Sequence, residues 1–202
     1  MVHNIISRYS ITFDDVLLSP GFSNVKPKDV VTSVKLANLN LSMPIISSAM
    51  DTVTESKMAI GMSLCGGLGV IHRNISVQKQ VKEVQKVKQY KIKKSTSMNS
   101  SLDKKGNLLV AAAIGVENNA FQRLSKLLDA GVDAIFIDVA HAHTKTTLDF
   151  IKVAKKKLKK TPLVVGNIAT KEAALALINI GVDAIKVGIG PGSICTTRII
   201  TG

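Results

Sequence analysis

The chain has 202 residues, 46% of them hydrophobic, with 27 Lys and Arg against 14 Asp and Glu, a net charge of +13 and a mean hydropathy of +0.24. That composition buries a sizeable core and excludes disorder, and no apolar run approaches the roughly 18 residues of a membrane-spanning helix. Arg8, Asp14 and Asp15 interrupt the stretch where a secretory signal needs unbroken apolar sequence, and two cysteines are too few for a disulfide framework, so a cytoplasmic protein is expected.

The first forty residues precede any repeating pattern and are expected to pack as an N-terminal extension. From there, short apolar runs without polar alternation recur at Pro44–Ala49, Gly67–His72, Leu108–Gly115, Ala134–Ala140, Pro162–Asn167 and Ala184–Gly188. Such runs suit parallel strands covered on both faces. Helix-period segments lie between them. Val77, Val81, Val84 and Val87 form a stripe behind a Ser76 cap, and Phe121, Leu124, Leu127 and Leu128 form another. Thr170 can cap a third helix with Glu172 near its positive dipole end. Lys91 to Asn107 lacks an apolar period and reads as a linker or loop. The excess charge is mostly lysine on helical stretches such as 155–160. With 3% aromatic residues and no Trp, stacking platforms are poorly supplied, so solvated helix faces are expected rather than a nucleic-acid surface.

An internal echo bears on the architecture. Leu127 to Ile135 (LLDAGVDAI) returns fifty positions later as Leu177 to Ile185 (LINIGVDAI), each copy placing a Gly at a helix end ahead of a buried strand. Fifty residues is two βα units of about 25 each, the pitch of a (β/α)8 barrel, although a doubly wound sheet also alternates in this way.

The chemistry concentrates in Lys186 to Arg198 (KVGIGPGSICTTR), where a buried strand meets a Gly-Pro-Gly turn and delivers Cys195 beside Thr196, Thr197 and Arg198. Strand C-terminal ends are where barrel active sites assemble. Glycines let the backbone approach a phosphate or turn carbonyls toward an ion, and a cation near a loop cysteine favours its thiolate. Elsewhere, His141 and His143 lack a cluster to complete a metal site and read as loop residues. Cys65, spaced with Met58 and Met62, is expected in the core, and Asp14, Asp15 and Asp51 are expected in turns and caps.

GIGPGSICTTR, together with SSAMDTVTE (47–55), FDDVLL (13–18), GLGVIHR (67–73) and GNIAT (166–170), resembles the IMP dehydrogenase family in collinear order from about Ser10 to Gly202. The resemblance implies a (β/α)8 TIM barrel, here its first six βα units plus the extension, that oxidises IMP to XMP with NAD. It implies that Cys195 attacks C2 of the purine, that a hydride passes to NAD, and that water hydrolyses the thioimidate with Thr197 positioning the water. Ser48, Met50 and Ser193 match the IMP site. Asp138 matches a carboxylate for the NAD ribose, and Gly188, Ile189 and Gly190 match backbone touching the cofactor. Carbonyls matching Gly190, Gly192 and Cys195 would hold a potassium ion (K+), and a homotetramer is implied. The family usually carries glycine where Ala142 stands. It also usually carries paired CBS modules, for which 91–107 is too short, and two further βα units and a flap beyond Gly202. The expectation is therefore a piece of a longer enzyme, or one of two polypeptides, inactive when isolated. The alternatives are a GMP reductase, which shares the cysteine loop, and an inactive nucleotide-binding fragment.

Overall fold

The computed structural model describes residues 15–92, 99–190 and 195–197. Two short strands, β1 (Val34–Leu36) and β2 (Leu39–Leu41), form an antiparallel hairpin. Six more follow: β3 (Ile46–Ser47), β4 (Leu68–Ile71), β5 (Ala111–Ile114), β6 (Ala134–Asp138), β7 (Leu163–Ile168) and β8 (Ala184–Val187). They are all parallel and lie side by side in chain order, curled into the wall of a half-barrel. Five helices make the crossovers: α1 (Ser56–Leu64), α2 (Val77–Lys88), α3 (Ala120–Asp129), α4 (Lys145–Leu158) and α5 (Lys171–Ile180). All six apolar runs of the sequence became strands. The sequential order is that of a partial TIM barrel, whereas a doubly wound sheet would reverse direction part-way.

Side-chain alternation divides the core in two. The outer face of the sheet, with Ile71, Ala112, Ile114 and Ile135, packs under Val84, Val87, Leu124 and Leu127 of the helices. The inner face, with Leu68, Val70, Ala111 and Phe136, is covered by Leu39 and Leu41 of the hairpin. The extension thus packs through β1–β2, while the segment before it lies in solvent, with Leu17, Leu18 and Phe22 at least 97% exposed. Gly69 sets the α1–β4 approach, because a Cβ there would stand 2.4 Å from the Ala59 Cα.

The expected caps form. Ser76 Oγ accepts from Lys79 N, and Thr170 Oγ1 accepts from Ala173 N. The N-terminus of α1 is held from outside instead: buried Glu83 of α2 accepts from Ser56 N at 2.8 Å. The echo is also a structural repeat. Gly131 and Gly181 both adopt φ +83°. Asp133 and Asp183 each accept from the backbone N–H at the start of the preceding strand, Val110 and Leu163, at 2.8 Å. Each returns its own N–H to the same residue's carbonyl at 2.9 Å. A lysine one helix earlier, Lys88 or Lys155, pairs with each carboxylate.

Two expectations change. Cys65 is exposed at the C-terminal cap of α1, because that helix buries the face of Ser56, Ala59 and Ser63 and leaves Met58 43% exposed, so the Met58–Met62 spacing does not mark the buried side. Within the 91–107 stretch, residues 99–107 form an anchored turn. Ser101 is buried with its N–H on Ser63 O, and Asp103 Oδ1 accepts from the N–H groups of Lys105 and Asn107.

Candidate active site

The strand C-termini converge on one rim. At β3, Ser48 is exposed, and its carbonyl accepts from Thr54 Oγ1 at 2.6 Å while the Ser47 hydroxyl lies 2.9 Å from the same oxygen. Met50 N donates to Ser48 O at 2.9 Å, and the Met50 side chain is more than half exposed. Asp51 is a turn residue, accepting from Thr52 N and from Asn74 Nδ2. The Asn74 bond is the main cause holding the Asp51 carboxyl below its usual range. At β4, buried His72 donates its N–H to Thr54 O, and its Nδ1 accepts from Asn74 N at 3.1 Å, which ties the β3 and β4 loops together.

At β6, Asp138 faces the barrel interior, where its Oδ1 accepts from Lys186 Nζ of β8 at 3.0 Å. The two are separated by β7. Asp138, Gly166 and Lys186 lie in register across the three strands. A Cβ on Gly166 would stand 2.6 Å from the Lys186 Cβ, so the missing side chain is what lets the lysine cross. The sequence reasoning passed over Lys186, although its signal was available: it shares strand parity with inward-facing Ala184 and opens the cysteine-loop motif.

Two cavities join these residues. One of about 310 Å³ runs along the inner face and is lined by Ser48, Phe136, Asp138 and Lys186 among others. A second of about 360 Å³ is lined by Met50, Asp51, Arg73, Asn74 and Asp138. Ser48, Met50 and Asp138 therefore share one basin. After β8, Gly188 N donates to Ile168 O at 2.8 Å, and Gly188 and Gly190 take φ of 122° and 56°, backbone conformations that favour glycine. Ile189 is half-buried and Gly190 buried. Half-buried Cys195 places its Sγ 3.2 Å from Thr197 Oγ1. Neither cavity is lined by Cys195 or Thr197. Gly192, Ser193 and Arg198 lie outside the described residues, as do Phe13 and Asp14, so the carbonyl set expected to hold a cation is described only at Gly190 and Cys195.

The His141 and His143 rings meet edge-on with centroids 6.3 Å apart, and no cluster of three metal-ligating side chains occurs among the described residues. Ala142, standing for the family's usual glycine, is fully buried and is not among the residues with positive φ, so the methyl is accommodated. No described helix is long and apolar enough to cross a membrane.

A family model described as IMP dehydrogenase / GMP reductase domain matches residues 10–202. The chain belongs to that family. Among curated relatives of this IMP dehydrogenase / GMP reductase family chain, the inosine-5'-monophosphate dehydrogenase of Borreliella burgdorferi is 41% identical over 234 residues, covering 98% of this chain and 58% of that protein. The Cryptosporidium parvum enzyme of the same name is 44% identical over 220 residues, covering 95% and 54%. The Staphylococcus saprophyticus enzyme is 34% identical over 314 aligned residues, covering 100% and 64%. The chain thus spans somewhat over half the length of the curated relatives it matches. The staphylococcal alignment exceeds the 202 residues of this chain, so that relative carries a long insertion within the matched span.

Proposed function

We propose that this chain carries the nucleophile, part of the substrate site and the cofactor carboxylate of an IMP dehydrogenase that oxidises IMP to XMP with NAD. The observation that carries this reading is Cys195 beside Thr197, with Sγ 3.2 Å from Oγ1, in a GIGPGSICTTR loop of a chain that belongs to this family.

In the proposed reaction, Cys195 adds as thiolate to C2 of the hypoxanthine ring. C2 loses its hydrogen as hydride, leaving a thioimidate on the sulfur. Water then adds to that carbon, the C–S bond breaks, and XMP leaves as the thiol is regenerated. When bound, NAD supplies the hydride acceptor. The chain's own residues prepare the steps. Ser48 and Met50 line the purine side of the basin, on a loop braced by Thr54 and His72. Asp138 has one oxygen on Lys186 and a second available to a ribose diol, a fit that needs no rearrangement of the strand. Thr197 Oγ1 stands where it can exchange a proton with the sulfur or with the attacking water. Ser193 is assigned to the IMP phosphate. Gly188, Ile189 and Gly190 are assigned to the cofactor, and the carbonyls of Gly190, Gly192 and Cys195 to a potassium ion, for which carbonyl dipoles are suitable ligands.

We place the relatives' insertion at 91–107, where the CBS modules would stand, and the homotetramer in the longer enzyme. The test is binding and turnover with IMP and NAD, followed as NADH, beside GMP and NADPH. IMP-dependent NADH formation supports the dehydrogenase. Oxidation of NADPH dependent on GMP would replace it with the reductase.

A further inference from the structure

The repeated lysine–aspartate clasp differs between its two copies in one respect. In the second copy, α4 passes to β7 in four residues, 159–162, and the paired Lys155 and Asp183 side chains stand 27% and 30% exposed. In the first copy, residues 89–110 separate α2 from β5, and the 99–107 turn within them lays a third charged group on the pair. Lys88 Nζ donates to Asp103 Oδ2 at 2.8 Å, to Asp133 Oδ2 at 2.9 Å and to Leu108 O at 3.1 Å. Those bonds use all three ammonium hydrogens, and Lys88 is left 13% exposed. The second copy shows that such a pair stands without a turn laid over it.

We propose that the 100–107 turn is a latch that undocks as one body from α1 and α2, with Lys88 as its catch, while the six-stranded wall stays folded. The turn holds its own shape. Asp103 N donates to Asn107 O, Gly106 N donates to Asp103 O, and Leu102 bridges Leu108 in antiparallel fashion. Its ties to the body are few: Ser101 N donates to Ser63 O at 2.8 Å, Ser100 Oγ donates to Leu64 O at 3.3 Å, and Leu102 is only half-buried. One buried group favours release, because Ser101 Oγ has no hydrogen-bond partner and undocking returns it to water. Lys88 is not stranded when the turn leaves, since it keeps Asp133 as Lys155 keeps Asp183. The latch stands at the strand starts, away from the rim, so a pull on this connection is released at Lys88 before it reaches β5 or β6.

The test is native-state amide hydrogen exchange on the 202-residue chain, followed by NMR as urea is raised below the unfolding transition. The latch reporters are the N–H groups of Ser101, Asp103, Lys105 and Asn107, all of them hydrogen-bonded. The wall reporters are Ile135 and Asp183, whose N–H groups bond Pro162 O and Leu163 O. Latch amides are expected to exchange at least about tenfold faster than wall amides and to respond little to urea, the behaviour of a local opening. Asp103→Asn keeps Oδ1 for Lys105 and Asn107 but turns an amide toward Lys88. It is expected to speed the latch amides about tenfold or more, the size of one lost charge-assisted bond. Gln80→Leu, which loosens the wall between β4 and β5, should speed the wall amides and leave the latch amides within about twofold. Circular dichroism checks that both variants fold, and the urea series on the parent chain tests the latch without either. Latch amides that share the urea slope of the wall, or that quicken with it in Gln80→Leu, would overturn the proposal, because the turn would then leave only in global unfolding. Unchanged latch rates in Asp103→Asn would overturn it as well, by removing Lys88 as the catch.

Discussion

Replacing Gln80 with leucine should open the joint between β4 and β5. That joint is short, with only Val70↔Ala111 and Ile71↔Ala112 paired, whereas β5–β6 and β6–β7 each pair four residues. Beyond the last pair, Gln80 of α2 bridges the strands: its fully buried Nε2 donates to Ala113 O at 2.8 Å and His72 O at 3.0 Å, with Ile71 O at 3.2 Å. Its Oε1 accepts from Arg123 at 2.7 Å. Leucine preserves the volume and removes every bond. Two backbone acceptors lose a donor, at about 1 kcal/mol each, and a buried cation loses a charge-assisted bond of about 1.5–3 kcal/mol. Allowing for partial rehydration, the expected loss is about 3–4 kcal/mol by urea unfolding followed by circular dichroism. At about 2–4 °C per kcal/mol for a chain of this size, Tm should fall by about 6–16 °C. Gln85→Leu, an exposed glutamine on the same helix, is the control and should stay within about 0.5 kcal/mol. A loss below about 1 kcal/mol for Gln80→Leu would mean that water or the strand ladder satisfies these carbonyls without it.

Gly166→Ala should drive Lys186 off Asp138, because its Cβ would meet the Lys186 Cβ at 2.6 Å and the Lys186 O at 2.8 Å. It should cost about 1–3 kcal/mol as overpacking and weaken NAD more than IMP; unchanged binding of both would show that the Asp138–Lys186 pair is incidental. Burial opposes the charge of Asp103, but Lys88, Asn107 and Lys105 outweigh it and hold the carboxyl down at about 2. Its stabilisation is therefore complete above about pH 4 and is lost as pH falls toward 2, amounting to at most on the order of 2 kcal/mol. Acid titration of Asp103→Asn should lack that limb. Asp133, raised by burial despite Lys88, acts with the opposite sign and is common to both proteins. Cys65→Ala should change stability by less than about 0.5 kcal/mol, since the thiol is exposed, and should remove a fast-reacting thiol in a dithiobis-nitrobenzoate assay; a slow Cys65 would contradict its placement.

The strands were legible because each is buried on both faces and so reads as an uninterrupted Val, Ile, Leu and Ala run. The caps at Ser76 and Thr170 and the paired Gly131 and Gly181 were legible because each is a local signal read within four residues. The β1–β2 hairpin was not, since three-residue strands leave too few positions for a period. Cys65 was misplaced because the face α1 buries is made of Ser56, Ala59 and Ser63, small and partly polar residues that hydrophobic spacing passes over in favour of Met58 and Met62. At the candidate site, Cys195, Thr197, Asp138, Ser48 and Met50 were singled out through motifs, and their roles remain proposals. Their supporting residues were not singled out, because those are long-range. Lys186 reaches Asp138 only because an intervening strand presents glycine, and Gln80 and Arg123 meet from helices 43 residues apart in sequence. Neither relation has a local signature.

The central claim is that Cys195 attacks the purine of IMP in a barrel that this chain only partly supplies. It is tested most directly by fusing residues 1–202 to the remaining C-terminal portion of the Borreliella burgdorferi relative and measuring NADH formation from IMP and NAD, with Cys195→Ala alongside. The account predicts IMP-dependent NADH from the parent fusion, none from Cys195→Ala, and negligible turnover by residues 1–202 alone. NADH formation by the Cys195→Ala fusion, or none from a parent fusion that is folded by circular dichroism, would contradict it.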